Sequence, residues 1–157
     1  MANVADLYKK STAIPLVGDR LFSMAFAFKA PYFGSIKPRF TVIEPNHAEV
    51  VIPNRRAVHN HIGTVHAIAL CNLAELSGGM LTDASIPASM RWIPKGMTVE
   101  YLAKARGTMH AVATPDAPAV EAPAGYAWPV RISVCDDAGE EVFRARIEMW
   151  LSPRRRD

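Results

Sequence analysis

The sequence has little cysteine and no long apolar run, and each absence excludes a class of protein. Its two cysteines, Cys71 and Cys135, both lie in apolar stretches, which suits a reducing compartment better than a disulfide framework. The most apolar stretch, residues 21–28, is far shorter than the roughly 20 residues that span a bilayer. The first ten residues have neither the apolar core nor the cleavage pattern of a signal peptide. We therefore expect a cytoplasmic protein with no membrane partner.

Several motifs of catalysis and cofactor binding are also missing. There is no Gly-x-Ser-x-Gly elbow, no glycine-rich phosphate loop and no cysteine pair at zinc spacing. His59, His61 and His66 are close in sequence, but no aspartate occurs between Asp19 and Asp83 to complete a ligand set. We expect neither a metal nor a cofactor.

The net positive charge is weak evidence for a nucleic-acid partner, because most of it comes from the last four residues. The net charge is +3, of which Arg154, Arg155, Arg156 and Asp157 together contribute +2. The basic residues are not interleaved with aromatics on one face, so we expect no nucleic-acid partner. With 157 residues, 50% of them hydrophobic, the chain is long and apolar enough to fold as a single domain over residues 1–157. We assign residues 152–157 to a basic tail.

The hydrophobic periodicity changes along the chain and predicts an α+β fold. A helix is expected from Pro15 to about Lys29, largely buried, within an N-terminal helical segment over residues 1–34. Alternation then predicts strands over 39–44, 47–53, 89–93, 97–103, 107–114, 126–135 and 141–151. Pro94-Lys95-Gly96 reads as a bulge. One helix embedded in a run of strands favours an antiparallel sheet curled around that helix.

The embedded helix, predicted from Thr64 to Gly79, is apolar on every side and should therefore be buried. Glu75 is its exception. Glu75 either reaches solvent or pairs with an arginine at the helix end, or it is buried and acts as a general base.

The start of this helix offers the complementary group. First-turn amides, including that of Ala67, point outward at the positive end of the helix dipole, where they polarise a carbonyl. Ala67 and Glu75 are about 12 Å apart along the axis, too far to act on one carbonyl. Two such helices packed antiparallel across a dimer axis would bring Glu75 of one beside the first turn of the other. Any site is therefore expected to be shared between subunits.

The run from Asn60 to Ala67, followed by Glu75 and Gly78-Gly79, resembles the signature of hotdog-fold acyl-CoA thioesterases. The similar types are PaaI-like and 4-hydroxybenzoyl-CoA thioesterases. Their pattern is Asn or Gln, two residues, Gly, two residues, His-Gly-Gly, then Asp or Glu two turns into the helix. The N-terminal helix and Pro31-Tyr32 are more similar to an uncharacterised bacterial branch. The resemblance implies a long central helix wrapped by an antiparallel sheet, in a homodimer or a homotetramer.

The resemblance also implies roles for individual residues. Glu75 matches the catalytic carboxylate, as base or nucleophile, and Ala67 matches the residue whose amide polarises the thioester carbonyl. His66 matches the histidine before it, and Asn60 the residue that orients the thioester or the water. Two positions depart from the pattern: His-Gly-Gly is replaced by His66-Ala67-Ile68, and Gly79 stands where several of these enzymes have Ser or Thr.

The substrate and its chemistry stay partly open at this point. Arg55 and Arg56, which flank the loop before the helix, are the candidate ligands of the coenzyme A phosphates. The leading hypothesis is hydrolysis of an acyl-CoA. The alternatives are a non-hydrolysing protein that binds acyl-CoA or acyl carrier protein, and a hotdog hydratase or dehydratase. The sequence does not name the acyl group.

Overall fold

The computed structural model describes residues 3–154 and begins with three helices, α1 (Val4–Thr12), α2 (Gly18–Lys29) and α3 (Pro31–Gly34). The single helix predicted from Pro15 is wrong at its start. Leu16 has a left-handed φ of 67°, and a Cβ at position 18 would overlap the carbonyl oxygen of Ser11. Only glycine therefore allows the chain to turn so tightly from α1 into α2.

The α2 helix packs one face on the sheet and leaves the other uncovered. Its inner face forms an aromatic cluster in which Phe22 and Phe26 both meet the Phe40 ring edge-on. The outer face carries Leu21, Met24 and Phe28, and Phe28 is 91% exposed. The expectation that this helix is largely buried is wrong for the single chain, because apolar residues occupy both of its faces.

Six strands within the described residues form one antiparallel sheet in the order β1-β2-β4-β5-β6-β3. Their bounds are β1 Arg39–Glu44, β2 His47–Ile52, β3 Met90–Tyr101, β4 Met109–Pro115, β5 Tyr126–Cys135 and β6 Glu141–Pro153. The two strands predicted around Pro94 are one continuous strand, β3, and the register shifts between Pro94 and Gly96. The predicted α+β architecture is confirmed.

One long helix, α4 (Ala67–Ser85), packs against one face of this sheet and contacts all six strands. It extends six residues beyond the predicted end at Gly79, because Gly78 and Gly79 serve packing and do not terminate the helix. A Cβ on Gly78 would stand 2.9 Å from Cδ1 of Ile147, so the missing side chain lets the helix approach β6 closely. The buried side of α4 and the inner face of the sheet form the hydrophobic core.

Residues 155–157 of the expected basic tail lie outside the described range. Ser152 and Pro153 are not part of a tail, because they extend β6, and Nε of Arg154 donates to the carbonyl of Met90 at 2.9 Å. No helix in residues 3–154 has both the length and the apolar character needed to cross a membrane.

Candidate active site

The first turn of α4 presents one free backbone donor. His66 is the N-cap: its backbone N–H donates to Val58, and its Nδ1 accepts the N–H of Ile68 at 3.0 Å. The amides of Ala69 and Leu70 both donate to the His66 carbonyl. Within residues 3–154, the N–H of Ala67 has no acceptor. A donor at the positive end of a helix, unpaired and half-buried, can polarise a carbonyl or hold an oxyanion.

The loop before α4 is closed by the side chain of Asn60. Its Oδ1 accepts the N–H groups of Ile62 and Thr64, both at 3.1 Å, and its Nδ2 donates to Thr64 Oγ1 at 2.8 Å. Gly63 has a φ of 79°, which this tight loop requires. The amide of Asn60 is thus occupied by its own loop, where it fixes the entry into the helix.

Glu75 lies two turns into α4 on the side that faces solvent in the single chain. Of the alternatives left by the sequence, the solvent-exposed carboxylate is the one observed. Within the described residues no arginine pairs with it. The expectation that α4 is buried all round is wrong for the protomer, because a stripe through Ile68, Cys71 and Glu75 is uncovered.

That stripe belongs to a larger apolar surface at the edge of the sheet. β3 is the last strand of the sheet order, so its outer edge pairs with no other strand of the described chain. Met97 and Tyr101 pair with the buried residues Ile147 and Phe143, which places them on the helix side of β3. Tyr101 is nevertheless 51% exposed and Ile68 is 56% exposed. A free strand edge beside exposed apolar side chains is a surface that a second copy of the chain could cover.

Tyr101 joins β3 to α4 one turn before Glu75. Its hydroxyl lies 3.2 Å from Sγ of Cys71. This hydrogen bond, together with burial and the charge of a cysteine thiolate, raises the pKa of Tyr101 to about 12. The phenol therefore stays protonated near neutral pH. Sequence reasoning missed Tyr101 because it is adjacent to α4 only through the pairing of β3 with β6.

Gly79, one turn after Glu75, is covered by an aromatic ring. A Cβ at this position would stand 3.2 Å from Cη2 of Trp92. The indole Nε1 donates to Oδ1 of Asp83 at 2.6 Å, which fixes the ring over the helix. Ser77 faces the core and donates to the carbonyl of Leu73. A side chain at position 79 would therefore contact the edge of the Trp92 ring.

The two candidate phosphate ligands, Arg55 and Arg56, have different surroundings. Arg55 donates through Nη2 to the carbonyl of Ser35, which ties the loop before α4 to the end of α3. Arg56 is exposed at the start of a 3₁₀ turn, Arg56–Val58. In the described part of the chain, no three His, Cys, Asp or Glu side chains are grouped so that they could hold a metal ion.

Comparison with known proteins shows which family model and which solved structures this chain is similar to. Residues 18–151 match the family model described as "Domain of unknown function (DUF4442)". The crystal structure named genomics APC5556 is 46% identical, with a TM-score of 0.82, over 96% of this chain and 99% of that one. A protein of unknown function from Pseudomonas aeruginosa, PA5026, described as a probable thioesterase, is 23% identical over 90% of this chain and 97% of its own, with a TM-score of 0.74.

A more distant structure has the same architecture. The thioesterase HI1161 from Haemophilus influenzae is 13% identical over 78% of this chain and 82% of its own, with a TM-score of 0.67. The curated proteins contain no significant match. The hotdog fold implied by the sequence motif is confirmed.

Proposed function

The chain belongs to the DUF4442 family, and we propose that it is an acyl-CoA thioesterase that hydrolyses R-CO-S-CoA to a free acid and coenzyme A. The observation that carries the proposal is the free N–H of Ala67, the one first-turn amide of α4 without an acceptor in residues 3–154. The fold shared with proteins described as thioesterases adds support. An unpaired donor at a helix N-terminus suits the carbonyl oxygen of a thioester, on which negative charge develops during hydrolysis.

The reaction requires a second group, and Glu75 is the candidate. As a base, Glu75 takes a proton from water, the water oxygen bonds to the carbonyl carbon, and the C–S bond then breaks to release the thiolate. As a nucleophile, Glu75 itself attacks the carbonyl carbon and gives an anhydride that water hydrolyses. The Ala67 amide stabilises the oxyanion in both routes.

Ala67 and Glu75 of one chain cannot serve the same carbonyl, because eight residues of α-helix separate them by about 12 Å. We infer a homodimer in which Glu75 of one subunit acts beside Ala67 of the partner subunit. The exposed Ile68 and Tyr101 and the free edge of β3 support this pairing. Two such dimers in a tetramer would keep the same sites.

Arg55 and Arg56, which flank the loop before α4, are the proposed ligands of the coenzyme A phosphates. For an enzyme that uses coenzyme A esters we also propose a cytoplasmic location. Arg56 is exposed and free to reach a phosphate. Arg55 is half-buried and already donates to Ser35, so we propose that it shapes the loop and contributes less to the phosphates.

Thiol release from short, medium, long and aromatic acyl-CoAs tests the activity. Glu75→Gln should lower turnover at least about 100-fold, because it removes the base or nucleophile at nearly constant shape. Asp83→Asn is the matched control: Asp83 is an exposed carboxylate on the same side of α4 that bonds only to Trp92 among the described residues. Equal loss in both variants would show that the effect comes from packing, and unchanged turnover in Glu75→Gln would remove Glu75 from the mechanism.

The shared site has its own test. Ala67→Pro deletes the free N–H at the first helical position, where proline is well tolerated. His66 has an extended backbone (φ −66°, ψ 140°), as the residue before a proline requires. Mixed dimers of two inactive variants, Ala67→Pro and Glu75→Gln, should regain about a quarter of wild-type activity, since half the dimers then carry one intact site. A site built within one chain would regain none.

The second candidate is a protein that binds acyl-CoA or acyl carrier protein without hydrolysis. Gly79 favours it, because this position has no hydroxyl where the resemblance leads us to expect Ser or Thr. Tight binding of an acyl-CoA with no thiol release from any substrate would select this candidate.

A further inference from the structure

A basic loop that the proposed mechanism does not use lies beside the start of α4. This loop, residues 102–108, joins β3 to β4 and carries Lys104 and Arg106. The carbonyl of Ala105, which stands between the two cations, accepts the N–H of Val65 at 2.9 Å. Because Val65 lies two residues before α4, the fold brings both cations to the entry of that helix.

The loop is fixed at its start, its middle and its end. At the start, the N–H of Leu102 donates to the carbonyl of Val142 at 2.9 Å. At the end, the N–H of Thr108 donates to Oδ2 of Asp137 at 2.8 Å. In the middle, the side chain of Ala105 is only 3% exposed. A loop held in this way presents its charges to a ligand with a smaller loss of entropy than a mobile loop would.

A third cation reaches the same place from another segment. The backbone N–H of His66, the N-cap of α4, donates to the carbonyl of Val58 at 2.8 Å. Val58 ends the 3₁₀ turn that begins at Arg56. The two residues before α4 are therefore bonded, one to the turn that carries Arg56 and the other to the loop that carries Lys104 and Arg106. All three cationic side chains are exposed.

No carboxylate pairs with these three cations within residues 3–154. The sequence has no aspartate or glutamate from residue 50 to 74, or from 101 to 115. Asp137, which lies beside the end of the loop, is engaged by a backbone N–H and by His110. A surface that carries charge of one sign creates a potential that attracts ligands of the opposite sign. The entry of α4 therefore favours an anionic ligand.

A phosphate group suits these cations. Arginine binds phosphate through two parallel hydrogen bonds, and lysine binds it as a compact point charge. In an acyl-CoA, the pantetheine arm separates the phosphates from the thioester, so the phosphate site belongs at the rim of the reaction site and not beside the Ala67 amide. Arg56, Lys104 and Arg106 meet this condition, because they lie outside α4 on segments bonded to its entry.

We propose that Lys104 and Arg106, with Arg56, bind the phosphates of coenzyme A, an inference that rests on the proposed acyl-CoA substrate. The loop then selects coenzyme A esters over the same acyl group on a phosphate-free thiol, because only the coenzyme brings several negative charges to the rim. Lys104 and Arg106 bind substrate in this scheme and take no part in breaking the C–S bond. Their loss should therefore change KM and leave kcat nearly unchanged.

A double variant, Lys104→Gln with Arg106→Gln, tests the site on coenzyme A itself. Titration calorimetry should give a Kd for coenzyme A about 5- to 30-fold above wild type, because two exposed charge contacts are lost. Lys9→Gln with Lys10→Gln is the matched control, since it removes the same charge from two exposed positions in α1 and should bind like wild type. Lys104→Arg with Arg106→Lys keeps both charges and should bind within about threefold of wild type.

Two thioesters of one acyl group separate a binding role from a packing role. With the acyl-CoA, the double variant should raise KM by the factor found for Kd and keep kcat within about twofold of wild type. With the N-acetylcysteamine thioester, which has no phosphate, its kcat/KM should match wild type. Higher ionic strength should weaken coenzyme A binding more in the wild type than in the double variant, because salt screens exposed charges.

The outcomes distinguish the phosphate site from the proposed hydrolysis. Wild-type affinity for coenzyme A in the double variant, an equal loss in the α1 control, or an equal loss of kcat/KM on the phosphate-free thioester would each overturn the phosphate site and leave the thioesterase intact. Coenzyme A binding that depends on Lys104 and Arg106, with no thiol release by the wild type from any acyl-CoA, would overturn the hydrolysis and support the phosphate site. A wild type that neither binds coenzyme A nor releases thiol would overturn both.

Discussion

Gly78 and Gly79 are adjacent in the interior of α4, yet they should respond in opposite ways to an added methyl group. Replacing either glycine by alanine improves helix propensity by about 1 kcal/mol. The difference between the two variants therefore reports what each Cβ would meet. Gly78 faces β6 in the core, and Gly79 faces the ring of Trp92.

The contacts that each new Cβ would make determine how much the free energy of unfolding should change. At position 78 the new Cβ would stand 2.9 Å from Cδ1 of Ile147 and 3.3 Å from Cε of Met149, and both side chains are 1% exposed. Overpacking a dense core costs about 1–3 kcal/mol, so Gly78→Ala should be destabilised by about 0–2 kcal/mol overall. At position 79 the contact is 3.2 Å to one edge of the half-buried Trp92, which has room to tilt. Gly79→Ala should therefore keep most of the propensity gain.

Thermal and urea unfolding of the two variants beside wild type measures the difference. We expect Gly79→Ala to be more stable than Gly78→Ala by about 1–3 kcal/mol, or roughly 2–12 °C in Tm for a chain of this size. The urea m value should be the same in both, since the exposed surface on unfolding does not change. Equal stability of the two variants would refute the argument that Gly78 exists to let α4 approach the sheet.

Three further outcomes follow from individual contacts. The pKa of Asp19 lies below its ordinary value because Nε of Arg39 donates to its carboxylate at 2.6 Å. The pair therefore stabilises the folded chain at pH values above the unfolded-state pKa of Asp19. This stabilisation is lost as the pH falls through the folded-state pKa. Asp19→Asn should thus lower urea stability by up to about 1 kcal/mol at pH 7 and by less at pH 3, and an equal loss at both would contradict this. Cys71→Ala removes the partner that raises the pKa of Tyr101, so the ionisation of Tyr101, followed at 295 nm against a Tyr101→Phe background, should move from about 12 toward 10. Ile68→Glu should give monomers by light scattering and no turnover, and an active monomer would exclude the shared site.

Local patterns in the sequence were sufficient for much of the fold. The alternation between residues 126 and 135 predicted β5 with the bounds observed, and Pro94-Lys95-Gly96 predicted the irregularity in β3. These features depend on the period-2 pattern and on proline chemistry, which neighbouring residues determine. The motif from Asn60 to Glu75 likewise indicated where the central helix lies and that it carries Glu75, although the helix begins at Ala67 and not at the predicted Thr64.

Features that depend on distant parts of the chain were not predictable. The glycine pair read as a helix end, whereas contact with β6 and Trp92 gives both glycines a packing role inside α4. Helix α1 was not separated from α2 within the predicted N-terminal helical segment, because the turn between them depends on the close approach of Gly18 to Ser11.

In the candidate site, too, some features follow from the local sequence and others depend on the tertiary structure. The sequence by itself determined which residues are the candidates for the chemistry, Ala67 and Glu75, because helix spacing and residue type are local properties. Only the tertiary structure decided that Asn60 is engaged by its own loop. It also decided that Tyr101 reaches Cys71, since β3 meets α4 only after the sheet has folded around the helix. Hydrogen-bond satisfaction and burial are properties of the packed chain, so no reading of neighbours along the sequence could have assigned them.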